Sequence, residues 1–302
     1  MIITRLAGGI GNQMFHYAVA RGYQRSESEK IILDDRLLQD LEHDIEKIIQ
    51  RPFALNVFKQ LKADVISSDL NKLLTGTDFY NRIRRKIFKR QTSYVRQHLM
   101  VPVPFSSLSS KNIFLIGNFQ SELYFKSIKE TLIQDFAFPQ LDEGNNLIRK
   151  EILTTPNALS LHIRRGDYLS TSNSNIFTSV NLEYYHNAID MLQAKLGTDA
   201  INTFVFTDDI NWVKQNFLSE KLNITFVEGN YGSNSWKDMF LMSCCQHHII
   251  ANSSFSWWGA WLSQRDGLNL APKYWFRPNS YEFDINNIVP ESWIIVDYNL
   301  ES

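Results

Sequence analysis

The alternation of strand-like and helix-like segments predicts an α/β protein built on parallel sheets. Three observations carry this. Short continuous apolar runs, such as Ile113-Phe114-Leu115-Ile116, have the length of strands buried on both faces. Segments with apolar residues at three- and four-residue spacing, such as Leu182 to Leu196 with Tyr185, Ile189 and Leu192, separate them. Several strands run straight into polar or glycine-rich loops, the side on which an open α/β sheet binds its ligands.

The 302 residues are enough for two such domains, and Pro139 to Asn146 reads as the linker. The expected domains are residues 1–150 and 151–302, with the last residues packing back on the first domain. A composition of 44% hydrophobic and 21% charged residues allows a substantial core, and a net charge of -1 speaks against nucleic acid. A small molecule or a sugar chain is the expected partner. The start, Met1-Ile2-Ile3-Thr4-Arg5, lacks a signal-peptide pattern, and no apolar run is long enough to span a bilayer. The two cysteines, Cys244 and Cys245, are adjacent and cannot staple distant parts of the fold, so a cytoplasmic location is expected.

In chain order, Ile2 to Leu6 reads as a strand, Ala7-Gly8-Gly9-Ile10-Gly11-Asn12-Gln13 as a glycine turn, and Met14 to Arg25 as a helix. Backbone N–H groups at such a junction can meet an anion, or the glycines can simply let helix and strand pack closely. Met14 stands where a dinucleotide fingerprint has glycine or alanine, which disfavours a nicotinamide cofactor. Lys30 to Asp34 is a second strand, and Asp34-Asp35 reads as a cap for the next helix rather than a metal site.

Residues 40–112 say least. Asn81 to Arg90 is strongly basic with helical spacing: a solvated face, or a face for an anionic membrane surface or glycan. Pro102 and Pro104 mark a break. Asn112 to Gly117 is a strand, followed from Glu122 by a helix through Phe125, Ile128 and Leu132. Gln120 and Ser121 stand at that junction, lining a crevice or, for Ser121, capping the helix.

The second half repeats the rhythm: a helix from Leu147 to Leu153, a strand from Leu159 to Ile163, Phe177 to Val180, and a helix from Leu182 to Leu196. Strands at Asn202–Phe206, Asn223–Glu228 and His248–Ala251 alternate with helices at Ile210–Phe217, Ser235–Cys245 and Trp257–Leu262.

Three loops in this half hold the polar chemistry. His162-Ile163-Arg164-Arg165-Gly166-Asp167 closes one strand, and two guanidinium groups there suit a diphosphate or form a solvated ion pair. Thr207-Asp208-Asp209 closes the next strand. Asn252-Ser253-Ser254-Phe255-Ser256 runs into a helix start, where a hydroxyl cap with spare donors is also an anion site. Ser235-Trp236-Lys237-Asp238 fits a capping box, and equally Asp238 fits the donor edge of a guanine.

The glycine loop, the His162–Tyr168 stretch, Thr207-Asp208-Asp209, and the block from Ser235 through Asn252-Ser253-Ser254-Phe255-Ser256-Trp257-Trp258-Gly259-Ala260-Trp261 together closely resemble the α1,2-fucosyltransferases of bacterial polysaccharide synthesis. The resemblance is patchy over residues 40–110. It implies a GT-B type glycosyltransferase, with two Rossmann-like domains facing an interdomain crevice and the acceptor on the first. The donor implied is GDP-L-fucose and the acceptor a terminal β-galactoside, joined at its 2-hydroxyl with inversion and without metal or cofactor, in O-antigen or capsular polysaccharide synthesis. It further implies that Arg164, Asp167 and Asn12 take part in catalysis. Gly9, Gly11, Asn12, His162, Arg164, Arg165, Asp238, Asn252, Ser253, Ser254, Phe255 and Ser256 would hold the donor. The general base is open: Asp167 is one candidate, and Ser172 stands where a related core-fucosylating family has a carboxylate. The competing readings are a transferase for another nucleotide sugar or linkage, and a sugar-binding protein without turnover. Contact with the inner membrane would be peripheral.

Overall fold

The computed structural model describes residues 1–39, 52–97, 110–165, 180–198, 201–217, 222–277 and 284–300. The chain forms two compact units, 1–137 and 138–302. The division falls just ahead of the expected linker, and the helix that follows it, α6 (Glu143–Thr154), lies in the second unit.

In the first unit, five strands, β1 (Ile2–Arg5), β2 (Ile31–Asp34), β3 (Asp64–Val65), β4 (Thr92–Arg96) and β5 (Asn112–Ile116), form a sheet in the order β3-β2-β1-β5-β4. Every pairing is parallel. The two-residue β3 and the five-residue β4 are edge strands in the part of the sequence that reads weakly. Val65 and Tyr94 are exposed, so the apolar signal that marks the central strands is missing from them.

Helix α1 (Ile10–Gly22) begins four residues before its expected start and takes Gly11 into its first turn. Residues Gln13 to Arg21 are all buried, so the helix lacks a wet face. Tyr17 and Arg21 find partners inside, and His16 does so through one of its two ring nitrogens. Tyr17 Oη and Arg21 Nε donate to Asp135 Oδ2 at 2.6 and 3.1 Å, joining α1 to α5 (Lys129–Asp135). His16 Nε2 pairs with Gly117 O at 2.9 Å, and burial lowers its pKa to about 4, against which that hydrogen bond acts. Asp34 accepts the Arg36 guanidinium at 2.6 and 2.8 Å beside the short α2 (Arg36–Gln39), while Asp35 accepts Gln39 Nε2 at 2.7 Å.

Two further helices, α3 (Ser68–Thr75) and α4 (Phe79–Arg90), precede β4, and the basic run is helical as its spacing implies. The helix expected from Glu122 is instead two 3-10 turns, Glu122–Tyr124 and Lys126–Ile128, before α5. Phe125, at φ -146, breaks the helical path between them because its ring packs inward against Phe15. The Pro102–Pro104 break lies outside the described residues.

The second unit holds β6 (Leu159–Ile163), β7 (Ile201–Thr207), β8 (Leu222–Phe226), β9 (His247–Ile249), β10 (Asn269–Pro272) and β11 (Ile294–Val296). They form one parallel sheet in the order β11-β10-β9-β6-β7-β8. On one face Leu159, Leu161 and Ile163 pack with α7 (Leu182–Leu196) and with Val213 of α8 (Ile210–Asn216). On the other, Phe204 and Phe206 meet Ile152 of α6 and Leu241 and Met242 of α9 (Trp236–Cys244). Both faces being covered, every residue of β6 is buried, including Ser160 and His162.

Helix α10 (Ser254–Trp261) starts three residues ahead of its expected beginning because Ser253 caps it. A Cβ on Gly259 would lie 2.9 Å from Met242 Cβ, so α10 crosses α9 at a distance that only glycine permits. Trp257 donates to Ile288 O of α11 (Ile285–Ile288) at 2.8 Å. At the end of the chain β11 pairs with β10, and Tyr298 packs on Tyr184 and Tyr274, all within the second unit.

Candidate active site

The second sheet reverses direction of growth between β6 and β9: the chain passes from β6 outward to β7 and β8, then returns to β9 on the other side. Such a switch point leaves a crevice at the carboxyl ends of the two strands. Arg164 and Arg165 follow β6, and Asn252 to Ser256 follow β9. Three sequence-predicted loops thus come to one edge, since Asp208 and Asp209 follow the adjacent β7.

His162 lies on the face of β6 opposite Leu161 and Ile163, and its ring meets that of Phe255 in the first turn of α10 at 5.9 Å. This contact joins β6 to the helix start. Ser253 Oγ accepts Phe255 N–H at 3.3 Å as the cap of α10, and Ser256 Oγ donates to Ser253 O at 3.4 Å. Asn252 is buried and donates to Trp275 O at 3.0 Å, which fixes the turn beneath the cap. Ser254 is partly exposed at the helix start, where N–H groups and the helix dipole favour an anion.

The two arginines are held differently. Arg164 Nε lies 3.7 Å from Asp208 Oδ2. Arg165 donates its backbone N–H to Asp208 Oδ1 at 2.9 Å, so one carboxylate braces both residues. The Arg165 guanidinium sits 3.4 Å from the centroid of the Trp212 ring and its Nε 3.7 Å from Asp209 Oδ2. Asp209 also caps α8 by accepting Trp212 N–H at 3.2 Å, which places that ring under the arginine. Trp212 escapes sequence reasoning; its only signal is its place in the first turn after an Asp cap. Asp167, and with it Gly166, Tyr168 and Ser172, lies outside the described residues.

Asp238 resolves in favour of neither half of a capping box: Ser235 makes no side-chain cap to α9. Instead Asp238 Oδ1 accepts Asn230 Nδ2 at 2.7 Å. Asn230 and Asn145 exchange amide hydrogen bonds at 2.8 and 3.1 Å, and Asn145 donates to Asp142, which pairs with Lys237 at 2.8 Å. Burial raises the Asp238 pKa to about 7, with the Asn230 hydrogen bond acting against it. Asn145 and Asn230 are 85 residues apart, so no local pattern could have found the pair.

The first sheet has its own switch point, between β1 and β5. The glycine loop follows β1, and Gln120 lies just beyond β5. Gln120 Nε2 donates to Asn12 Oδ1 at 2.9 Å. Gly8 has φ +69, and a Cβ there would overlap the Asn12 amide. Gly9 precedes α1 with nothing within 4 Å of where its Cβ would be, leaving open space before the helix. Gln13 donates to Gly8 O and Pro52 O and accepts Ala54 N–H, each at 2.9 Å, which pins the turn.

Comparison with known proteins follows the same lines. The O-antigen biosynthesis glycosyltransferase WbnK of Escherichia coli is 31% identical over 306 residues, covering 96% of this chain and 98% of its own length. An Escherichia coli alpha-1,2-colitosyltransferase is 32% identical, covering 98% and 99%. Galactoside alpha-(1,2)-fucosyltransferase 1 of Alouatta belzebul is 25% identical over 185 residues, which are 59% of this chain and 50% of that one. The α/β protein with two parallel sheets is a glycosyltransferase. It belongs to glycosyl transferase family 11, whose model matches residues 3–297. No helix of the described residues is long and apolar enough to cross a membrane.

Proposed function

We propose that this glycosyltransferase moves L-fucose from GDP-fucose to the 2-hydroxyl of a terminal β-galactose, with inversion, in the synthesis of a surface polysaccharide. The observation that carries the reading is that Arg164 and the capped start of α10 follow adjacent strands at the β6/β9 switch point of a family 11 chain. A diphosphate leaving a sugar gains negative charge as the glycosidic bond breaks. A guanidinium and free helix N–H groups, fixed beforehand, stabilise that charge without reorganising.

In this reading Arg164 meets the diphosphate, with Ser253, Ser254 and Ser256 around the helix start. Arg165, turned onto Trp212 and Asp209, holds the loop. His162 and Asp238 serve the guanosine, Asp238 through Oδ2, since Asn230 occupies Oδ1. Asn12, oriented by Gln120, and the open space at Gly9 serve the sugar or its phosphate, with Gly11 in the first turn of α1. The first unit would take the acceptor. Asp167 is the candidate base.

A second reading rests on a specific relative: the 32% identical colitosyltransferase makes GDP-colitose an alternative donor. The test is incubation with lactose and either GDP-fucose or GDP-colitose, in chelator, followed by linkage analysis. An α1,2-fucosyl product in chelator supports the proposal. Transfer from GDP-colitose alone establishes the second reading, and a product formed only after adding a divalent cation refutes the metal-free mechanism.

A further inference from the structure

Helix α4 has a face that neither the fold nor the transferase reaction explains. On its inner side Phe88 is buried among Ile3, Ile32 and Phe114, and Leu70, Leu73 and Leu74 pack against that cluster. Arg85 donates to Leu74 O and Gly76 O at 2.8 and 2.7 Å, so the helix cannot roll about its axis. The outer side nevertheless carries large apolar groups: Phe79 is 79% exposed, Tyr80 67%, Ile83 47% and Ile87 52%. At roughly 100° per residue these four lie within one stripe, opposite Arg85. Exposed cations surround it: Lys86 on one flank, with Arg82 and Lys89 beyond, Arg84 on the other, stacked on the Tyr80 ring at 5.3 Å, and Arg90 at the end of the stripe itself. The helix contains no acid, in a chain of net charge -1.

A solvated basic helix has no need of four exposed apolar side chains on one stripe, and water penalises them. An apolar ridge rimmed by lysine and arginine matches the boundary between headgroups and acyl chains of an anionic bilayer. We propose that the outer face of α4 seats the protein on an anionic membrane surface, with Phe79, Tyr80, Ile83 and Ile87 in the acyl boundary and the cations on lipid phosphates. The proposal is independent of the donor and acceptor assigned above.

The experiment is co-sedimentation of the full chain with vesicles of phosphatidylcholine alone and of phosphatidylcholine and phosphatidylglycerol in equal parts. Two surface variants separate the terms: Phe79→Ser/Tyr80→Ser/Ile83→Ser/Ile87→Ser, and Arg82→Glu/Lys86→Glu/Lys89→Glu. Thermal midpoints matching the wild type show that both are folded. The wild type should bind the anionic vesicles and not the neutral ones, and each variant should lose about 10-fold or more in partitioning. No binding by the wild type overturns the proposal, as does binding that survives loss of the apolar stripe. A dimer in vesicle-free solution that the serine variant dissociates also overturns it, by making this face a contact between two copies of the chain.

Discussion

Replacing Asp238 with asparagine separates what that carboxylate does for the fold from the part at the nucleotide proposed for it. The substitution is isosteric, and its side-chain oxygen can still accept Asn230 Nδ2. In the native protein burial raises the carboxyl from 3.8 to about 7. A group whose folded pKa is raised contributes most below its unfolded value, and that contribution is lost as pH rises through the folded one. The gap corresponds to about 4 kcal/mol of lost stability at pH 8. Asp238→Asn removes this loss, so the variant should be the more stable protein above neutrality, by roughly 10 °C in the unfolding of the second unit. His16 and His248, lowered by burial to about 4 and about 3, act in the opposite sense and lose stability as pH falls. They are present in both proteins, so the difference between the two pH profiles isolates Asp238. The assay is thermal unfolding of both from about pH 4 to about pH 8, with GDP affinity measured alongside by calorimetry. A guanine edge donating two N–H groups favours the ionised carboxylate, so GDP should bind the wild type more weakly below pH 7 and bind the variant roughly 10- to 100-fold more weakly at pH 8. Parallel pH profiles refute the burial argument; unchanged GDP affinity refutes the role at the base.

The remaining predictions concern the switch points and the core. Arg164→Ala should lower kcat by about 100- to 1,000-fold, more than it raises KM for the donor, as steady-state kinetics will show. Gly8→Ala should cost about 1–3 kcal/mol in a urea titration, because alanine is strained at φ +69 and its Cβ displaces the Asn12 amide. Asp135→Asn should cost about 3 kcal/mol in the same assay by leaving buried Arg21 with Glu27 alone, among the described residues, for charge compensation.

Much of the second unit is legible in the sequence because its strands are buried on both faces and announce themselves as apolar runs. Asn202 to Phe206 and Leu159 to Ile163 need no context to be read. The helix α7 is equally plain, with Asn181 capping its start and left-handed Gly197 ending it. The breaks were harder. Phe125 carries the same apolar signal whether it continues a helix or, as here, turns out of one to fill a core. β10 and β11, strands of four and three residues, lie beyond the last residues of the family-like block, where no element is expected.

The sequence by itself determined the class of fold and the residue types of the candidate site, since Arg164, the serine loop and the glycine turn each carry their chemistry in local spacing. Tertiary structure decided which of them meet and how each is held. Strand order, set by which buried faces pair, brings β9 beside β6 and so the α10 start beside Arg164. The Trp212 ring under Arg165 and the Asn145–Asn230 pair behind Asp238 depend on contacts between distant segments, and such contacts leave no periodic trace along the chain.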